Sequence, residues 1–302
     1  MRSSAQRGRP GKAEDWEERA PVKHCTGRRG KMMTVDYLSL GEQILFEWFE
    51  TLITKSIAQL EGKRLANGKL DYFKQELLKQ YCTHFVSIRT LAPGLKVAYK
   101  GRGDEITALA SVAVLTRACL ENYSLFYYIY RDPNNFQETY FRFWSWFREG
   151  LVDRGRYKTS GHAEKRDKER QEIDRLFAEL QECRWYQSLT GKQKARYQKD
   201  GLWYFCGKRK LLEKAGFSQA GSDNCYNYFS SYTHPTSAGH LQTSQADYQA
   251  SKANLNTMLR PLFICSALYL YNYWILFEEI SNVLNEEDRV FVTSWRELGS
   301  KL

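Results

Sequence analysis

The sequence lacks the short motifs that mark the common nucleotide hydrolases, esterases and zinc proteases. Its 302 residues contain no glycine-rich phosphate loop, no G-x-S-x-G elbow and no H-E-x-x-H pair. There are only 6 prolines, and no alternating apolar and polar run is bounded by hairpin residues. The most apolar uncharged segment, residues 262–277, is 16 residues long, whereas a membrane-spanning helix needs about 20. We therefore expect this segment to be a helix buried in the core.

Positive charge is concentrated in two segments. The formal net charge is +10, from 45 Lys and Arg against 35 Asp and Glu. Residues 1–31 hold 9 basic against 4 acidic residues, and residues 154–214 hold 17 against 9. The remainder holds 19 against 22. The main apolar body is therefore slightly acidic, and the distribution of the charge is more informative than its sum.

Cysteine follows no pairing pattern. The 7 cysteines are scattered, and none forms a C-x-x-C pair. This usage is typical of small core residues in a reducing compartment, so we expect a cytoplasmic protein.

Residues 1–33 have no apolar segment; we expect no secretory signal there and a disordered basic tail. Residues 34–302 are predicted to form a single all-helical domain.

Helical periodicity dominates from about Leu40 onward and predicts an all-α multi-helix bundle. The third predicted helix begins at "DEIT" (residues 104–107), because acidic residues suit a helix N-terminus. Residues 153–220 are predicted to be a basic helical insertion or lobe on the bundle. The first helix is expected to turn five apolar residues inward, namely Ile44, Leu45, Trp48, Leu52 and Ile53. The last helix is expected to keep Val290, Phe291 and Trp295 on one face.

One polar patch interrupts the apolar third helix. Arg117 and Glu121 are four residues apart and share a helix face, which Ser124 continues. Because the helix is apolar nearly all round, the pair is expected to be at least partly buried. A buried Arg and Glu require further polar partners.

The segment "YFSSYTHP" is the best candidate for that partner. If it is the last turn of a helix, Ser230 and His234 project from the same side. Pro235 disfavours a helical conformation at His234, which places the histidine at the helix end. Arg117, Glu121, Ser230 and His234 are therefore predicted to converge on one polar pocket.

These two motifs carry a family resemblance. "TRACLENYSLFYYIYRDP" resembles the R-x-x-x-E helix, and "YFSSYTHPTS" the S-x-x-x-H-[PG] turn, of a bacterial all-helical family known only as a domain of unknown function and distantly similar to HEPN-like bundles. Many HEPN proteins are metal-independent ribonucleases that use an Arg and a His. The resemblance implies a catalytic set of Arg117, Glu121, Ser230 and His234, an RNA or nucleotide substrate, and a defence or toxin role.

The residues themselves leave three interpretations open. The four side chains form a structural network that fixes helix register, or they form an RNA-cleaving or nucleotide-binding pocket. A metal site at His234 and His240 with Asp247 or Cys225 is the third, and an H-x(5)-H pair without a defined third ligand is a weak signal for it. We predict no metal and no cofactor.

The basic segment offers a second candidate surface. Lys and Arg side chains alternate with aromatic ones there, as in proteins that bind single-stranded nucleic acid by backbone attraction and base stacking. A solvated helical face is the other interpretation. The candidate nucleic-acid-binding residues are Arg196, Lys199, Trp203, Lys208, Arg209 and Lys210.

His84 is most simply a core or half-buried helix residue, and the oligomeric state is left open.

Overall fold

The computed structural model describes residues 36–63, 67–99, 102–106, 108–156, 163–200, 204, 206–233 and 248–301. The chain divides into two units, Met1–Asp36 and Tyr37–Leu302. The basic tail predicted over residues 1–33, and with it Cys25, lies outside the described residues. The architecture below is that of the second unit.

Within the described residues the chain forms twelve helices and one two-stranded hairpin, which confirms the predicted all-α bundle. In chain order the elements are α1 Glu42–Leu60, α2 Lys69–Leu91, β1 Leu95–Tyr99, β2 Arg102–Ile106, α3 Leu109–Tyr130, α4 Phe136–Gly155, α5 Ala163–Glu182, α6 Arg184–Ser188, α7 Gly191–Asp200, α8 Lys208–Lys214, α9 Gln219–Thr233, α10 Tyr248–Leu276, α11 Glu278–Ser281 and α12 Glu286–Gly299.

The hairpin between α2 and α3 corrects the sequence prediction. β1 and β2 pair antiparallel, from Leu95 opposite Ile106 to Tyr99 opposite Arg102. The "DEI" of the predicted helix start therefore lies in a strand, and α3 begins at Leu109. Five residues are too few for the period-two pattern of a strand to stand out beside two long helical patterns. The α2 helix ends at Leu91, as the Pro93-Gly94 pair predicts.

The centre of the bundle is α10, which packs against α1, α3 and α12. Its residues from Leu262 to Leu270 are buried without interruption, so the prediction of a buried core helix is confirmed. The helix runs on through Pro261. No helix of the described residues is long and apolar enough to cross a membrane.

Two residues of the predicted apolar faces are exposed, and for Ile44 the predicted inward position is wrong. Ile44 of α1 is 49% exposed and Val290 of α12 is 41% exposed. Phe46 and Phe49 fill the core side of α1 instead. Phe49 stacks on Phe263 with ring centroids 5.7 Å apart. Ten of the 19 residues of α1 are apolar, so periodicity alone does not fix which side faces the core.

A second, smaller core joins α4 to α5, α6 and α7. Its buried members are Phe141, Leu180, Cys183, Tyr186, Leu189 and Tyr197. The α8 helix lies instead in the main core, through Leu211 and Leu212. The segment predicted as an insertion, residues 153–220, thus contributes to both cores. All six cysteines of the described residues carry free thiols.

A buried ion-pair network joins the end of α3 to the start of α4. Arg142 Nη1 donates to the carbonyl oxygen of Tyr128 at 2.6 Å and to Asp132 Oδ2 at 2.7 Å. Its Nη2 donates to Glu138 Oε1. Lys214 Nζ, from the end of α8, donates to Asp132 Oδ1 at 3.2 Å. This network was not predicted, and it links α3, α4 and α8.

Candidate ligand-binding site

A cavity of about 370 Å³ opens between α2, α3, α8 and α9. Its volume is within the range of small-molecule pockets, which are typically about 300–1,000 Å³. Much of the wall is apolar or aromatic and includes Tyr226 and Phe229 of α9. Polar side chains also line it: Gln80, His84, Arg117, Glu121, Asn122 and Lys208. The cavity therefore combines an apolar wall with a small polar set, as ligand pockets do.

Arg117 and Glu121 are positioned by the helical repeat of α3. Arg117 Nε donates to Glu121 Oε1 at 3.1 Å, the spacing expected for residues one turn apart. The Arg117 side chain is only 15% exposed, whereas that of Glu121 is 41% exposed. The arginine is thus held in the wall of the cavity, and the glutamate reaches towards solvent.

Ser230 meets Arg117 from the last turn of α9, which ends at Thr233. Arg117 Nη1 donates to Ser230 Oγ at 3.3 Å, and Ser230 Oγ donates to the Tyr226 carbonyl oxygen at 2.6 Å. The Arg117 guanidinium also lies 5.1 Å from the centre of the Tyr226 ring. The structure therefore brings Arg117, Glu121 and Ser230 together; their catalytic role stays a prediction.

The remaining predicted pocket residue lies outside the described residues. His234 directly follows Thr233 in the sequence, but residues 234–247, which also include His240 and Asp247, are not described. Cys225 is buried in the cavity wall, and burial raises its pKa to about 12. A thiol with that pKa is protonated at neutral pH. No group of three potential metal ligands occurs within the described ranges.

The predicted nucleic-acid-binding residues fall on different elements. Arg196 is exposed on α7. Lys199 belongs to the same helix, but its side chain is outside the described part of the structure. Trp203 lies wholly outside the described residues. Lys208 and Arg209 stand beside the cavity on α8, where Lys208 Nζ lies 3.3 Å from Glu121 Oε1.

The other two basic residues at the start of α8 also have acidic neighbours. Arg209 Nη1 is 3.6 Å from Asp223 Oδ1, and its Nη2 donates to Asn227 Oδ1 at 2.8 Å. Lys210 Nζ lies 2.5 Å from Glu213 Oε1. Of the three, Lys208 is the one whose side chain lines the cavity.

His84 is a cavity residue that sequence reasoning did not assign to the site. The α2 and α3 helices run antiparallel, since Tyr130 Oη donates to the Leu70 carbonyl oxygen at 3.2 Å and Asn122 Nδ2 donates to Gln80 Oε1 at 3.3 Å. One turn beyond Gln80, His84 is consequently level with the turn of α3 that holds Arg117. The four-residue spacing of Gln80 and His84 was the available signal for a polar stripe.

We expect the His84 imidazole to titrate below pH 6.5, the usual value for histidine. Burial lowers its pKa, because desolvation disfavours the charged imidazolium. A proton NMR titration of the histidine ring resonances measures this, and a His84→Gln variant identifies the His84 signal. A midpoint at or above pH 6.5 would contradict the placement of His84 in the cavity wall.

These features define an all-helical protein with a part-apolar cavity whose polar side is built around Arg117. The chain belongs to the family of unknown function DUF5677, whose model matches residues 75–248. Every residue that lines the cavity is within this matched region. No curated protein and no solved structure matches the chain.

Proposed function

We propose that the chain binds a nucleotide, either free or as part of an RNA strand, in the Arg117 cavity. The observation that supports this best is the placement of two cations from different helices, Arg117 of α3 and Lys208 of α8, beside an apolar and aromatic wall. A nucleotide has the matching chemistry, since it joins a phosphate to a planar base. Cations bind the phosphate, and apolar and aromatic groups bind the base.

Arg117 is suited to hold the phosphate. Ser230 and Tyr226 fix its side chain, so that little conformational entropy remains to be lost when a ligand binds. Within the described part of the chain, Nε and Nη1 have acceptors and Nη2 has none. A fixed guanidinium with a free donor offers the directed hydrogen bonds that phosphate oxygens accept.

The apolar and aromatic part of the cavity wall is suited to the base. Phe229 and Tyr226 provide aromatic surface, and Asn122 and Gln80 provide amide groups from the facing helices. Asn122 Oδ1 is buried and accepts no hydrogen bond from a described residue. Side-chain amides pair with base edges in many nucleic-acid complexes.

We extend the proposal to the cleavage of RNA. In this scheme Arg117 and Ser230 hold the phosphate, and His234, which follows α9 in the sequence, accepts the proton of the ribose 2′-hydroxyl as that oxygen attacks the phosphorus. The bond from phosphorus to the 5′-oxygen breaks, water gives that oxygen a proton, and a 2′,3′-cyclic phosphate remains. His84 is the histidine that lines the cavity within the described residues. A bacterial, cytoplasmic defence or toxin role is proposed on the HEPN-like resemblance alone.

The Arg117→Met variant is expected to bind AMP and a short single-stranded oligoadenylate at least about tenfold more weakly than the wild type. The estimate follows because a hydrogen bond to a charged group is worth about 1.5–3 kcal/mol. Isothermal titration calorimetry at low salt measures both ligands. Arg154→Met is the matched control, since Arg154 is an exposed arginine of α4 paired with Glu169 at 2.8 Å. Equal affinities of Arg117→Met and the wild type would refute the proposal.

A second experiment tests cleavage. Total RNA is incubated with the wild type and with His234→Ala, with and without a chelator. We expect cleavage by the wild type that survives the chelator, and loss of cleavage in His234→Ala at an unchanged melting temperature. Binding without cleavage in the wild type would restrict the function to nucleotide recognition.

A non-catalytic interaction protein is the second candidate. It is favoured by the way in which Arg117 connects helices: its guanidinium joins α3 to Ser230 of α9, and through Glu121 to Lys208 of α8. If this network is only structural, Arg117→Met should lower the free energy of unfolding by about 1–3 kcal/mol. The wild type should then bind neither AMP nor the oligoadenylate.

A further inference from the structure

One carboxylate oxygen at the cavity bridges two cations. Glu121 Oε1 accepts from Arg117 Nε at 3.1 Å and from Lys208 Nζ at 3.3 Å. The two cations come from different helices, α3 and α8. An oxygen anion shared by an arginine and a lysine is the arrangement that a bound phosphate group adopts in many proteins.

Arg117 and Glu121 differ in burial and in the number of their other contacts. Arg117 is mostly buried and has two further contacts, with Ser230 and with the Tyr226 ring. The Glu121 side chain is 41% exposed, and within the described ranges its partners are the two cations alone. Glu121 can therefore rotate into solvent while Arg117 stays in place.

We propose that Glu121 occupies a phosphate site of the cavity, and that a phosphate or phosphomonoester group of the ligand displaces it. The inference rests on the proposed function and gives Glu121 the role of an internal competitor, in place of the catalytic role that the sequence predicts. When Glu121 leaves, Arg117 and Lys208 both become available to the phosphate oxygens. The dianionic charge of a phosphomonoester exceeds that of one carboxylate, so the exchange is favourable for that class of ligand.

The charges around the site are consistent with this exchange. Arg209 lies next to Lys208 on α8, and its guanidinium is 5.4 Å from the same Tyr226 ring that contacts Arg117. Asp223 is the carboxylate near Arg209, at 3.6 Å. Once Glu121 is displaced, the cations at this edge of the cavity are Arg117, Lys208 and Arg209, and the remaining carboxylate is that of Asp223. This excess of positive charge favours an anionic ligand.

The test compares Glu121→Gln with the wild type in calorimetric titrations with inorganic phosphate, AMP and adenosine. We expect Glu121→Gln to bind AMP and phosphate about three- to tenfold more tightly, because it removes a competing charge from a partly solvated site. The affinity for adenosine, which has no phosphate, should be unchanged. Glu121→Ala is expected to behave like Glu121→Gln, which excludes an effect specific to the amide.

Glu213→Gln is the matched control. Glu213 lies on α8, is paired with Lys210 and does not line the cavity, so this variant makes the same change of net charge outside the site. It should bind AMP as the wild type does. A gain in Glu213→Gln equal to that in Glu121→Gln would show a general charge effect and overturn the inference.

The outcomes separate this inference from the proposed function. If the wild type binds AMP and Glu121→Gln binds it equally or more weakly, Glu121 is not a competitor, while nucleotide binding stands. If adenosine gains as much as AMP, the phosphate does not replace the carboxylate. If neither protein binds AMP or phosphate, the proposed function and the inference both fail.

Discussion

Replacing Arg142 with methionine is expected to lower the free energy of unfolding by about 3–5 kcal/mol. The Arg142 side chain is 8% exposed and the Glu138 side chain 6% exposed, and Asp132 is the second carboxylate that Arg142 contacts. Without the guanidinium, two negative charges remain close together in a poorly solvated place. Denaturant unfolding followed by circular dichroism measures the loss.

Arg154→Met again serves as the control for this change. The Arg154 side chain is exposed, and an exposed ion pair contributes only about 0–1 kcal/mol. A loss of less than about 1 kcal/mol in Arg142→Met would show that the network contributes no more than a surface pair. Such a result would contradict the burial of Arg142 between Asp132 and Glu138.

The pH dependence of stability provides a second readout of the Arg142 network. Burial by itself raises the pKa of Asp132, but Arg142 and Lys214 outweigh it, and the pKa lies below its ordinary value. A carboxyl whose pKa is lowered by folding stabilises the protein above its unfolded pKa of about 3.9, and this contribution is lost as the pH falls through the folded pKa. We therefore expect the difference between wild type and Arg142→Met to shrink below about pH 4.

Substitution of Gly216 by alanine is expected to lower the free energy of unfolding by about 2–4 kcal/mol. Gly216 follows α8 with φ of 113°, and a Cβ there would lie 2.6 Å from Leu268 Cδ2 of α10. Its N–H donates to the Glu213 carbonyl oxygen, and that of Phe217 donates to the Leu212 carbonyl oxygen. This is a Schellman ending, for which glycine is the preferred residue.

Gly62→Ala separates the two causes of the Gly216 effect. Gly62 has φ of 73°, and a Cβ there would meet nothing within 4 Å. Only the cost of the left-handed backbone, about 1–2 kcal/mol, applies to it. Urea unfolding of both variants should therefore show the larger loss for Gly216→Ala. Equal losses would mean that Leu268 moves aside at no cost and that the contact between α8 and α10 is loose.

Removing Arg117 is expected to cost less stability than removing Arg142. A buried Arg117–Glu121 pair would make the loss of Arg117 as costly as that of Arg142. Because the Glu121 side chain is 41% exposed, water can solvate its carboxylate when Arg117 is absent. The stability cost should therefore be the smaller of the two, which makes Arg117→Met a usable probe of binding.

The sequence by itself determined the local features of this protein. The three-and-four spacing of apolar residues predicted the helices, and the Pro93-Gly94 pair predicted the end of α2. The length and composition of residues 262–277 predicted a buried helix. Arg117 and Glu121 were predicted to share a helix face, and they do, because the helical repeat alone brings residues four apart together.

Only the tertiary structure decided which distant residues meet. The Glu121–Lys208 contact, which was not predicted, joins residues that are 87 positions apart. The position of His84 opposite the Arg117 turn of α3 also depends on how two whole helices pair. The side of α1 that carries Ile44 was likewise decided by the helices packed around it. The reason is physical: hydrophobic burial drives association without direction, so a sequence pattern specifies that a face is buried but not its partner. That choice depends on the close packing of whole helices, to which residues far apart along the chain contribute together.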